Sequence, residues 1–110
     1  QKIVATVTRE STEDLGLRVG ADAFALIKSS SIIVVTAGEG ARFSARNCLT
    51  GIVGRLRKGV INTEVEIYLP GGSTVSAIIT NTSTEALALV EGMPVSAIFK
   101  ASSVIVGVPV

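Results

Sequence analysis

Apolar and polar residues alternate along this chain in short runs. The clearest run covers residues 60–69. Ile61, Thr63, Val65, Ile67 and Leu69 fall on one side of it, and Asn62, Glu64, Glu66 and Tyr68 on the other. A period of two predicts a strand with one buried face. Residues 49–56 read as the strand before it, joined through a turn at Lys58-Gly59. Pro70-Gly71-Gly72-Ser73 turns the chain back into a strand at 74–80. Thr82 with Glu85 three residues on has capping-box spacing, which predicts a short helix through Leu89 with Gly92 as its stop. Residues 95–100 and 103–108 are the last expected strands. Earlier in the chain, residues 1–8 alternate loosely, as a strand does, and 9–17 suit a helix of one or two turns stopped at Gly20. Residues 23–28 and 32–36 read as strands separated by Ser29, Ser30 and Ser31, and 37–42, with Gly38 and Gly40, as a linker.

The early pattern repeats the late one. Residues 3–36 align without a gap on residues 75–108, Thr8 falling on Thr80, and 14 of the 34 positions are identical. The identities include Thr8/Thr80, Ser11/Ser83, Leu17/Leu89, Gly20/Gly92, Lys28/Lys100 and Ser31/Ser103. Two ungapped copies imply two structural units of one kind. The expected division is 1–38 for the later half of a first unit, 39–43 for a linker, and 44–110 for a complete second unit. About five strands and one short helix fit a small Greek-key barrel of the OB type. The first copy holds only the later part of this plan. A barrel without its first two strands leaves edges open, so the chain is expected to be a piece of a longer protein, or to take the missing strands from another chain.

Composition narrows the functional classes. The chain has 110 residues, 47% of them hydrophobic, and a mean hydropathy of +0.57. No apolar run approaches the roughly 18–20 residues of a membrane helix. The excess is aliphatic and sits in strands, which points to interfaces between units or subunits, so a homo-oligomer is expected and membrane insertion is not. Nothing in the opening residues reads as a secretory signal. Cys48 is alone and reads as a small core residue. A reducing cytoplasm is the expected setting. A net charge of +1 and four aromatic residues (Phe24, Phe43, Tyr68, Phe99) argue against a single-strand nucleic-acid groove.

The absence of histidine removes Ser-His-Asp and Cys-His catalysis, and one cysteine removes the usual zinc sites. No enzyme is expected. Glu10, Glu13 and Asp14 read as a solvated helix face, and Arg55, Arg57 and Lys58 as a solvated hairpin tip. What the repeat duplicates is a set of donors. Thr80 and Ser83 open a short helix, as do Thr8 and Ser11. Lys100 and Lys28 each end an otherwise apolar strand. Ser44, Arg46 and Asn47 add a hydroxyl, a guanidinium and an amide. A Thr or Ser at a helix start is more often a cap than a ligand. Duplication of the whole set, lysine included, favours a site for a small anion. A site made of donors favours a fully deprotonated dianion, since hydrogen phosphate needs an acceptor for its proton.

The motif SARN at 44–47, followed by KGVINTEV at 58–65, AIIT at 77–80 and AIFKASSVIVGV at 97–108, resembles the Mop, or molbindin, family of molybdate-binding domains in the transport-associated OB (TOBE) class. The first copy is similar through ATVT at 5–8 and ALIKSSSIIVV at 25–35. The resemblance implies an all-β fold with short helices, built as tandem OB-like barrels with the first unit incomplete at its N-terminus. It implies molybdate or tungstate as ligand, held as an intact oxyanion with no direct bond to the metal. Carried over residue by residue, the contacts are Ser44, Arg46, Thr80, Ser83 and Lys100, with Thr8, Ser11 and Lys28 in the first unit. The backbone N–H after each lysine, at Ala101 and Ser29, joins them. It further implies sites between subunits, in a trimer of two-unit chains or a dimer. Intracellular molybdenum storage or homeostasis is the first functional expectation. The alternatives are the effector part of a molybdate-sensing transcription regulator and the regulatory tail of a molybdate transporter ATPase.

Overall fold

The computed structural model describes residues 2–36 and 42–110. Its strands are β1 (Phe24–Ile27), β2 (Ile33–Thr36), β3 (Asn47–Lys58), β4 (Asn62–Tyr68), β5 (Thr74–Thr80), β6 (Pro94–Phe99) and β7 (Val104–Gly107), and its helices α1 (Arg9–Asp14) and α2 (Asn81–Ala86). Single 3₁₀ turns at Ser29–Ser31 and Ala101–Ser103 precede β2 and β7. The fold is mostly β and OB-like. Its main sheet has the order β2-β6-β3-β4-β5, and β1 and β7 form a separate ribbon.

The last strand of each copy leaves its own copy. β2, from the first, pairs antiparallel with β6 (Ile33 opposite Ile98), and β7, from the second, pairs with β1 (Ile27 opposite Val104). The turn after each lysine redirects the chain from one sheet to the other. The core therefore has no boundary between copies: Ile32 and Val34 pack in one cluster with Val53, Val65, Ile67, Ala77, Phe99 and Val104. The sequence divisions 1–38 and 44–110 are crossed by this exchange, and the expected linker at 39–43 falls largely outside the described residues.

The long strand β3 serves two neighbours. Asn47–Ile52 lies against β6, and Ile52–Lys58 against β4, with a bulge between Val53 and Arg55. A bulge bends and twists a strand, which lets one strand curl from one neighbour to the next. Gly54 occupies the bulge, and the Tyr68 ring fills the space where a Cβ would stand. β2 and β5 end the sheet with no ladder between them, so the sheet is OB-like rather than a closed barrel.

The alternation in β4 is realised: Thr63, Val65, Ile67 and Leu69 are buried. Ile61 departs from it, 71% exposed in the turn before the strand. Three further expectations change. Residues 2–8 join no ladder among the described residues. α2 starts at Asn81 with Thr80 as its cap, so the Thr82–Glu85 spacing does not mark its start. Cys48 is exposed, since residues alternate along β3 and its neighbours Asn47 and Leu49 take the inward positions.

Replacing Ile67, fully buried, by Ala is expected to lower stability by about 2–5 kcal/mol. Ile61→Ala is expected to stay within about 0.5 kcal/mol. Denaturant midpoints for the two variants check this, and equal losses would contradict the assigned face.

Candidate functional site

Each candidate hydroxyl pair is built by a helix start. Thr80 is extended (φ −69°, ψ 153°) and caps α2, its Oγ1 accepting the Ser83 N–H. Thr8 does the same for α1 at φ −72°, ψ 155°, accepting from Ser11. The capping hydroxyl then donates to the serine: Thr80 Oγ1 to Ser83 Oγ at 2.9 Å, Thr8 Oγ1 to Ser11 Oγ at 3.0 Å. A hydroxyl has one proton. The threonine proton is engaged, so the serine O–H is the one left to point outward. Capping and ligand binding are thus compatible, because the cap fixes the direction of the remaining donor. Beyond both helices, Gly20 and Gly92 each turn at φ +91°, which L side chains rarely adopt.

Each candidate lysine precedes a 3₁₀ turn. Lys28 and Lys100 are extended, and the chain closes behind them through Ser31 N–H to Lys28 O at 2.8 Å and Ser103 N–H to Lys100 O at 2.9 Å. The first N–H groups of such a turn have no partner within it, which leaves those of Ser29 and Ala101 available to a ligand. Asn47 lies opposite Phe99. Arg46 and Lys100 are the residues just beyond this last pair, both outside the strands and both exposed. Among the described residues neither they nor Lys28 makes an ion pair; the one bridge found is Lys58 to Glu85, at 4.0 Å on the surface.

The copies mix at these positions. A groove of about 510 Å³ is bordered by Ser30 of the first copy and by Asn62, Thr80 and Ser83 of the second, over an apolar floor that includes Ile33 and Ile78. On the other side, the Thr6 N–H donates to Ala101 O at 3.0 Å, which holds the residues leading to Thr8 against the turn that follows Lys100. Thr80 and Ser83 therefore border one groove with Ser30 of the other copy, and Thr6, two residues before Thr8, is bonded to the turn after Lys100. The resemblance names Thr80, Ser83 and Lys100 in the second unit and Thr8, Ser11 and Lys28 in the first, with sites expected between units or subunits. Ser44, Arg46, Thr8, Ser11, Thr80, Ser83, Lys28 and Lys100 are all exposed, Ser29 is half-buried and Ala101 is buried.

Asn47 is corrected from ligand to scaffold. It is 2% exposed, and its amide spans the Val4 backbone, accepting from the N–H and donating to the carbonyl, both at 2.8 Å. It stands in for a strand partner along residues 2–8. Sequence reasoning missed Ser30 and Asn62 at the groove. The identity of Ser30 with Ser102 in the repeat was the available signal for the first. Asn62 carried none, because it lies outside the repeated stretch. Among the described residues no group of three or more His, Cys, Asp or Glu could hold a metal ion, and no helix is long and apolar enough to cross a membrane.

The TOBE domain model matches residues 1–34 and 44–106. The molybdenum-pterin-binding protein MopA of Rhodobacter capsulatus is 42% identical over 107 residues, 97% of this chain and 40% of that protein. The molybdenum transport protein ModE of Herbaspirillum seropedicae is 44% identical over 108 residues, 98% of this chain and 40% of that protein. The chain thus spans about 40% of the length of these curated relatives. The molybdate-bound structure of ModG, a cytoplasmic molybdate-binding protein, superposes with a TM-score of 0.92 at 40% identity, over 96% of this chain and 74% of that one.

Asn47→Ala leaves the Val4 N–H and carbonyl without partners and is expected to cost about 1–3 kcal/mol. Thr80→Ala, which removes a cap, is expected to cost about 1 kcal/mol. Urea unfolding of the two variants tests this, and an unchanged midpoint for Asn47→Ala would remove its scaffold role.

Proposed function

The chain belongs to the TOBE-domain family, and from that premise we propose that it binds molybdate, and tungstate with it, as an intact tetrahedral dianion. The observation that carries the reading is that Arg46, Lys100 and Lys28 are exposed and that none of them makes an ion pair among the described residues. Charge-assisted hydrogen bonds from them are the strong kind. The outward serine hydroxyls and the free N–H groups at the 3₁₀ turns then set the geometry around the oxygens. No residue need bond the metal. Sulfate has the same charge and a smaller radius, so selection against it rests on the size of the completed cavity. Tungstate is close to molybdate in size and is accepted.

Site groups this exposed do not enclose an anion within one chain. The sites are completed between chains of a homo-oligomer, a trimer or a dimer, through the apolar surface that strands leave open. Binding without catalysis is in keeping with relatives that are a molybdenum-pterin-binding protein and a molybdate-binding protein. A cytoplasmic molybdenum store or buffer is the role in keeping with ModG, a cytoplasmic molybdate-binding protein. One observation favours a second reading. The chain matches 40% of ModE, a molybdenum transport protein, nearly end to end, as a ligand-sensing portion of a longer molecule would.

Calorimetric titration with molybdate is expected to give binding that persists in excess sulfate. Lys100→Ala is expected to weaken it about ten- to a hundredfold, the loss of one charged hydrogen bond of about 1.5–3 kcal/mol. Light scattering is expected to give more than one chain per particle. A folded sample that takes up no molybdate would sink this reading.

A further inference from the structure

Asn47 and Thr63 are the buried polar residues among those described. Asn47 holds the Val4 backbone. Thr63 donates its hydroxyl proton to Asn81 Oδ1 at 2.7 Å, and Asn81 is the first residue of α2, next to Thr80. The Asn81 amide nitrogen donates in turn to the carbonyls of Gly59 and Val60, at 3.0 and 3.2 Å. Carbonyls only accept, so the nitrogen must face them and the oxygen must face Thr63. The Asn81 backbone N–H donates to the Ile61 carbonyl at 2.8 Å. One half-buried residue thus ties the start of α2 to the turn between β3 and β4.

Little else holds that helix. α2 has six residues and buries none of them, and a helix this short is not stable by itself. The ion pair of its Glu85 with Lys58 is 4.0 Å long and on the surface, where such pairs contribute little. Thr80 is fixed from the other direction, as the last residue of β5, opposite Asn62. Where Ser83 stands relative to Thr80 and Asn62 is then decided by how the chain turns at Asn81. We propose that Asn81 is a positioning residue of the anion site: it locks the start of α2 to the β3–β4 turn and so aims the Ser83 hydroxyl beside Thr80. This rests on the molybdate reading above and gives Asn81 no contact with the anion itself.

The test compares Asn81→Ala with Ile67→Ala in the 110-residue chain. Ile67 is fully buried, so its variant lowers stability and leaves the Asn81 bonds in place. Without anion, Asn81→Ala is expected to speed amide exchange at Ser83 at least about tenfold, and more than in β6, because the helix start opens locally. A residue that only adds stability would speed exchange in β6 and leave Ser83 unchanged. Calorimetric titration with molybdate, below the melting range of each variant, is expected to give an affinity about tenfold weaker for Asn81→Ala, as loss of an outer hydrogen-bonding partner does at metal sites. Ile67→Ala is expected to bind within about twofold of the unsubstituted chain. The proposal is overturned if Asn81→Ala leaves Ser83 exchange or molybdate affinity unchanged, or if Ile67→Ala weakens binding as much. An unsubstituted chain that takes up no molybdate would sink the anion reading instead, and exchange at Ser83 would then decide by itself whether Asn81 aims the hydroxyl pair.

Discussion

The pairing of backbone edges governs this structure. A short strand left alone exposes a row of N–H and C=O groups, and each of these must find a partner when buried. The chain meets the requirement by exchanging strands: β2 closes on β6 and β7 on β1. The exchange forces the sharp turns after Lys28 and Lys100, since a strand that leaves for another sheet has to be redirected within three residues. Those turns place the lysines at the surface and free the N–H groups that follow them. The groups proposed to bind the anion are thus by-products of a topological device, and the same device gives the two copies a common core.

Economy of protons links folding with chemistry at the helix starts. In each copy one threonine oxygen accepts a backbone N–H while its proton passes to the neighbouring serine. The serine keeps one donor, aimed by two fixed bonds. A helix of six residues has little dipole of its own to offer. In the proposed site the directional donor therefore comes from the hydroxyl pair, and the charge from Arg46 and the lysines. Donors, cations and free amides are drawn from separate elements.

Much was legible without coordinates. The period-two run at 60–69 identified β4 and its buried face, because a two-sided strand leaves a strict alternation. The repeat identified paired helices, turns and lysines. Observed caps and turns match at the repeat offset to within about 20° in backbone angle. Local chemistry fixes such features: a Thr and a Ser three apart cap whatever helix follows, and glycine takes the φ of +91° wherever it is required. Reading failed where a residue's role depends on a distant partner. Asn47 looked like a ligand beside Arg46, yet its amide faces Val4, 43 positions away in sequence. Cys48 looked like core, but its parity along β3 set it outward.

What the sequence determined by itself was therefore the parts and their multiplicity: strands of a given face, two capped helices, two lysine turns, and a duplicated set of groups that are mainly donors. Only the tertiary structure decided which copy's parts stand together. Ser30 meets Thr80 and Ser83, and Ala101 meets the segment leading to Thr8, because β2 and β7 cross between sheets. Strand exchange preserves every local pattern and every hydrophobic period. It alters only which edge satisfies which backbone, and that choice is made by long-range hydrogen bonding and core packing.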